Sequence, residues 1–204
     1  KEALEKVQEH VRCRTLIAQG RKAQEAGRLS EAAKDFVAAA EHGYPEGWQL
    51  LGALCERAGQ RERAADAFAK AVAQGVVQAR EPLGRLLYEE ALEKQTAAEH
   101  PAAFALFDRA AQCGNREAQY ALSLYYGRPQ DYPGCGVRQN FAKAIDWTKK
   151  AARQGHPEAE CKLGKCYRDG RGVQKDAELS REWYEKAAEH GSEEAKAYLA
   201  KLTL

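Results

Sequence analysis

Six cysteines (Cys13, Cys55, Cys113, Cys135, Cys161, Cys166) and five histidines (His10, His42, His100, His156, His190) are the side chains of this 204-residue chain best suited to covalent or metal chemistry. A zinc site needs about four convergent ligands, usually in close pairs such as Cys-x-x-Cys or His-x-x-x-His. No such pair occurs, so neither a metal nor a cofactor is expected. A disulfide needs Cα atoms within about 7 Å. Cys13 and Cys55, at opposite ends of neighbouring helices, stand about 15 Å apart at 1.5 Å per residue. Only Cys135, in a Pro/Gly-rich turn, and Cys166, near the top of the following helix, come close enough to consider pairing. Cys55, Cys113 and Cys166 read as small buried apolar filler.

Nucleophilic catalysis requires a Ser or Cys held beside a base, and Cys135 has no histidine within its own unit before His156. Neither a Gly-x-Ser-x-Gly turn nor a phosphate loop ending in Lys-Ser/Thr is present. The glycine-rich stretch RDGRGVQKD follows no strand pattern and is not read as a nucleotide loop. No catalytic residue is assigned.

Charge is balanced, with 32 basic and 30 acidic residues interleaved to a net +2. That lacks the concentrated basic footprint of a nucleic-acid binder, so no nucleic-acid partner is expected. No apolar run approaches the roughly 20 residues of a spanning helix, so membrane insertion is not expected. Methionine is missing even at position 1, and the chain reads as a processed or excised piece. Unpaired thiols suit a reducing compartment, which points to the cytoplasm. Periplasmic or secreted placement follows instead if an upstream signal was removed.

The elements that carry these residues are written in a repeat. Gly43, Gly75, Gly114, Gly155 and Gly191 succeed one another at intervals of 32, 39, 41 and 36 residues. Four residues before each stands Ala39, Ala71, Ala110, Ala151 or Ala187, and eleven before each Ala32, Ala64, Ala103, Ala144 or Ser180. Small residues at helical offsets, closed by a glycine able to take the left-handed cap, describe the second helix of a repeated hairpin. His42, His156 and His190 flank such glycines, where a polar side chain can reach the last helix carbonyls.

In the first unit Gly20, Gly27, Ala32, Phe36 and Ala39 keep the spacing of Gly52, Gly59, Ala64, Phe68 and Ala71 in the second. This resembles the tetratricopeptide pattern: Gly20 or Gly52 lets paired helices approach, and Phe36 or Phe68 fills the space between hairpins. The fourth unit (Tyr126, Gly134, Gly136, Val137, Trp147, Ala151, Ala152, Gly155) and the fifth (Tyr167, Gly170, Gly172, Val173, Trp183, Ala187, Ala188, Gly191) resemble Sel1-like repeats of the same superfamily. The third, with Leu83, Gly84, Tyr88, Ala103, Phe107, Ala110 and Gly114, lacks the Gly-x-Gly-Val turn. Its EALEKQTAAEHPA segment is rich in helix formers, which predicts about two further turns of first helix. In the fourth unit the excess stretch GRPQDYPGCG is expected to protrude.

The resemblance implies an all-α, right-handed superhelical solenoid of about five helix-turn-helix repeats. The expected divisions are a helical lead-in at 1–12, repeats at 13–46, 47–79, 80–117, 118–158 and 159–194, and a capping helix at 195–204. First helices of such hairpins line the inner surface. Positions between the inward-packing residues would then face a partner: Arg21 and Gln24; Gln49 and Glu56; Glu81, Arg85 and Tyr88; Tyr120 and Leu124; Lys165 and Arg168. Arg21, Arg85, Lys165 and Arg168 suit carboxylates, and exposed Tyr88, Tyr120 and Leu124 suit apolar anchoring. The resulting expectation is a non-enzymatic adaptor or scaffold for a protein or peptide, of bacterial origin. Two alternatives stand beside it: an envelope-associated hydrolase of the cysteine-rich Sel1-like type, and a structural spacer or dimerisation region. Against the hydrolase, no cysteine spacing recurs from unit to unit, whereas cysteine-rich members pair two cysteines within each hairpin.

Overall fold

The computed structural model describes residues 2–202, with side chains from residue 8 onward. Residue 1 of the expected lead-in and residues 203 and 204 of the expected cap lie outside the described residues. Every extended element described is helical: α1 (Glu2–Glu25), α2 (Leu29–Glu41), α3 (Glu46–Arg57), α4 (Arg61–Ala73), α5 (Arg80–Thr96), α6 (His100–Gln112), α7 (Arg116–Gly127), α8 (Phe141–Arg153), α9 (Pro157–Asp169), α10 (Ala177–Glu189) and α11 (Glu193–Leu202). Helices pair in sequence order as hairpins, and α11 follows the last pair. The lead-in runs on into the first hairpin as the start of α1. The chain divides into two compact units, one up to Leu86 and the other from Leu87.

The closing glycines all adopt positive φ, from 72° at Gly155 to 100° at Gly191, and Ala39, Ala71, Ala110, Ala151 and Ala187 are fully buried. Seven residues before each glycine lies the core filler: Phe36, Phe68, Phe107, Thr148 or Tyr184, none more than 2% exposed. In the first unit this filler rests on a glycine of the paired helix. A Cβ on Gly20 would stand 2.6 Å from the Phe36 ring, and one on Gly52 would stand 2.7 Å from Phe68. In the second unit Gly164 meets Tyr184 in the same way, at 3.0 Å. The α7–α8 hairpin compensates both positions: Ser123 replaces the glycine and the smaller Thr148 replaces the ring, its hydroxyl donating to the Ala144 carbonyl at 2.7 Å.

α5 extends to Thr96 as its helix formers require. It closes on Ala98 at φ 59°, the sole non-glycine positive φ among the described residues. The two Gly-x-Gly-Val turns close on one shared backbone bond, Asn140 N–H to the Tyr126 carbonyl and Asp176 N–H to the Tyr167 carbonyl, both 2.9 Å. The five-residue excess in the fourth unit lies inside that closure. It folds back rather than protruding: Tyr132 stacks on buried Tyr125 with centroids 3.8 Å apart, and His100 meets Tyr132 edge-on at 5.8 Å.

Candidate functional site

α9 begins at His156, whose Nδ1 accepts from the Ala159 N–H at 3.3 Å, with Pro157 in the first turn and Glu158 and Glu160 favourably placed at the positive end of the helix. His156 therefore caps the helix that follows Gly155, contrary to the expectation that it serves the preceding carbonyls. Its Nε2 lies 2.7 Å from Glu117 Oε2, and its Nδ1 lies 3.2 Å from Glu158 Oε2. Capping requires an unprotonated Nδ1, so the neutral ring places its proton on Nε2 and donates to Glu117. The ring is 4% exposed and packs on Tyr120 at 4.5 Å.

Along α9, flanked by residues of α7, α8 and α11, runs a groove of about 960 Å³. Its apolar wall is Phe141, Ala144 and Ile145, and its polar wall includes Lys162, Lys165, Arg168 and Arg171. Phe141 is 59% exposed. Lys165 Nζ lies 2.6 Å from Glu194 Oε1, a bond that holds the Glu194 carboxyl below its ordinary range. Arg168 grips Asp169 through two nitrogens at 2.8 and 3.1 Å, which lowers that carboxyl in turn. Lys162 pairs with no carboxylate among the described residues. Its Nζ donates to Ser123 Oγ at 3.1 Å and to the Ser123 carbonyl at 3.3 Å. Burial, reinforced by Arg128 and Lys165 and opposed by Cys166, pushes its ammonium down to about 8.

A serine hydroxyl beside a lysine amine is the contact used by Ser-Lys hydrolases, but this one is not arranged for attack. Ser123 is wholly buried, and its hydroxyl donates to the Tyr120 carbonyl at 2.7 Å. The two thiols lining the groove, Cys161 and Cys166, are raised above their usual range, chiefly by burial, so at neutral pH they are protonated and poor nucleophiles. Cys135 and Cys166 are both thiols, with no bond between them. Cys113 is half-buried rather than core filler. Among the described residues no group of three metal-ligating side chains converges, and no helix is long and apolar enough to cross a membrane.

Of the residues expected to face a partner, Tyr120, Lys165 and Arg168 line this groove. Tyr88, Tyr120 and Leu124 are half-buried rather than exposed, because Tyr88 packs on Phe107 at 5.8 Å and Tyr120 on His156. In the unit up to Leu86, Arg21 and Gln49 line a hollow of about 800 Å³ with Ile17 and Tyr44. Arg85 and Glu56 are bonded to each other, so the Arg85 guanidinium already holds a carboxylate. Gln24 and Glu81 line neither cavity. Sequence reasoning missed Lys162, Phe141 and Arg171. The signal for Lys162 was its register: the equivalent positions, two before each small packing residue, are Ala18, Leu50, Pro82 and Ala121. Lysine is the charged residue among these five otherwise apolar positions.

The Sel1 repeat family matches residues 83–115, 116–156 and 157–192, more than half of the chain. The chain belongs to the Sel1 repeat family. A Sel1 repeat protein from Oxalobacter formigenes is 28% identical with a TM-score of 0.55, over 71% of this chain and 98% of that one. Helicobacter pylori cysteine rich protein B is 23% identical with a TM-score of 0.43, over 47% of this chain and 68% of its own. The protective antigen c5321 of uropathogenic Escherichia coli is 24% identical with a TM-score of 0.48, over 95% of this chain and 49% of its own. The last two add nothing to the assignment. No curated protein matches the chain. Sel1 repeats commonly mediate protein–protein interaction and are generally non-catalytic.

Proposed function

We propose that this Sel1-repeat protein is a non-enzymatic adaptor that holds a segment of a partner protein along α9. The observation that carries the reading is the groove itself, which exposed Phe141 lines together with Lys162, Lys165, Arg168 and Arg171. That combination of an apolar anchor site with placed charges suits peptide recognition. α9 has 13 residues, about 20 Å at 1.5 Å per residue, the span of roughly six residues of extended peptide. The buried, committed Ser123 hydroxyl and the protonated thiols favour binding over hydrolysis. Interleaved charge favours a protein partner over nucleic acid. The thiols suit a reducing compartment, and we place the adaptor in the cytoplasm.

The test is capture of partners from the native cell, identification of their peptides, and calorimetry of the recovered partner against groove variants. Tyr120→Ala and Lys165→Glu should each weaken binding about tenfold or more, the scale of an interface hot spot, and Gln49→Ala should not. Equal affinity in all four proteins would remove α9 from the binding surface.

A further inference from the structure

Charge along the α9 groove is compensated at one end and not at the other. Three of its four carboxylates lie on a basic group: Glu194 on Lys165 at 2.6 Å, Glu193 on Lys196 at 2.7 Å, and Asp169 on Arg168 at 2.8 Å, while Glu158 lies 3.2 Å from the accepting Nδ1 of His156. Lys162 and Arg171 form no direct ion pair among the described residues, although Arg171 is near enough to help Arg168 hold the Asp169 carboxyl down, and Arg128 reaches Asp131 only at 4.0 Å. These cations gather around the apolar wall. A Cβ on Gly127 would stand 3.8 Å from both Lys162 Nζ and the Ala144 methyl. Gly172, next to Arg171, brings the backbone against Ile145 and the Phe141 carbonyl.

We propose that this end of the groove takes an aspartate or glutamate side chain of the partner segment, bound between Lys162 and Arg171, with a neighbouring apolar side chain laid on Phe141 and Ile145. This rests on the adaptor reading and specifies what the groove recognises. An ammonium has three N–H donors, of which Lys162 gives two to Ser123, leaving one without an acceptor. A half-buried cation without a counter-ion has little to offset its desolvation cost, since beyond Ser123 Lys162 Nζ meets only the Tyr120 ring, 5.7 Å from its centroid, and a carboxylate supplies the missing Coulombic return. One ammonium N–H and one exposed guanidinium match the two oxygens of a monoanion. A phosphate dianion asks for a denser arginine cluster. Phe141 is the large apolar side chain left open in the wall, so the residue next to the acid is apolar.

The experiment titrates isotope-labelled protein with acetylated, amidated tetrapeptides of sequence Ala-Glu-Leu-Ala, Ala-Gln-Leu-Ala and Ala-phosphoserine-Leu-Ala, following the Lys162 side chain and the Phe141 ring by NMR. The Glu peptide should move both resonances and bind about tenfold tighter than the Gln peptide, the worth of one charge-assisted bond. It should also raise the Lys162 titration midpoint above about 8. Lys162→Met should abolish the preference, and Arg171→Gln, at an exposed position, should reduce it with the fold intact. Equal binding of Glu and Gln peptides in the groove would overturn the carboxylate assignment while leaving the adaptor reading standing. Tighter binding of the phosphoserine peptide would overturn it in favour of phosphate. No groove shift with any of the three would overturn it, and the adaptor reading would then rest on the captured partner alone.

Discussion

His190 Nδ1 lies 2.8 Å from Glu160 Oε2, fastening the end of α10 to a carboxylate side chain that is only 2% exposed. The α7–α8 hairpin repeats this clasp with neutral groups at the same two positions, Gln154 Nε2 donating to Gln119 Oε1 at 2.9 Å. Removing one member leaves a buried acceptor unsatisfied. His190→Ala should therefore destabilise the protein by about 2 kcal/mol, read from urea unfolding. The double variant Glu160→Gln/His190→Gln, which reproduces the neighbouring clasp, should recover most of the loss. Additive losses in the double variant would show that the pair is not coupled.

Ala98 holds the left-handed turn position that Gly27 and Gly59 fill in the first two hairpins. A non-glycine residue there costs about 1 kcal/mol or more, partly offset by the entropy that glycine regains on unfolding. Ala98→Gly should raise the unfolding free energy by roughly 0.5 to 1 kcal/mol, seen as a higher urea midpoint. A lowered midpoint would contradict the strain.

Gly52 and Gly47 test close packing in two grades. A Cβ at Gly52 meets the Phe68 ring at 2.7 Å, while one at Gly47 meets the Phe36 carbonyl and the Ala40 backbone. Rings shift more easily than backbone. Both alanine substitutions should destabilise, within the roughly 1 to 3 kcal/mol of overpacked cores, with Gly47→Ala the worse. Gly52→Ala/Phe68→Leu should be milder than Gly52→Ala alone, and the reverse ranking would contradict the stacking.

The Lys162 ammonium is lowered by burial from 10.5 to about 8. Between those values the unfolded chain binds more protons than the folded one at this residue, so its contribution to stability rises with pH across that window. Wild type should gain on Lys162→Met between pH 8 and 10.5. The comparison must be a difference, because burial raises Tyr125 to about 12 and that phenol erodes stability in the opposite sense above pH 10. An unchanged difference across the window would place the Lys162 amine in water.

The fold was legible because its determinants recur: the closing glycines share a positive φ, and the alanines four before them and the fillers seven before them occupy equivalent buried places. The extension of α5 was also readable from helix formers in EALEKQTAAEHPA. The return of the 127–136 excursion was not, since Pro and Gly mark a turn but do not say that Tyr132 will stack on Tyr125. The lining of the α9 groove was half legible. Helical phase placed Lys165 and Arg168 on the α9 groove, yet phase cannot show that Glu194 and Asp169 already hold them. The cation Lys162 was hidden because its position, next to inward-packing Leu163, was not among those selected as facing outward, and only comparison with Ala18, Leu50, Pro82 and Ala121 exposes it.

Hydrogen exchange of the protein with and without its captured partner tests the central claim most directly. Binding along α9 predicts added protection concentrated in α7, α9, α11 and the start of α8, with α1 to α4 unchanged. Protection confined to the ends of α8 and α10 or to α1 to α4, with α9 exchanging as in the free protein, would contradict it.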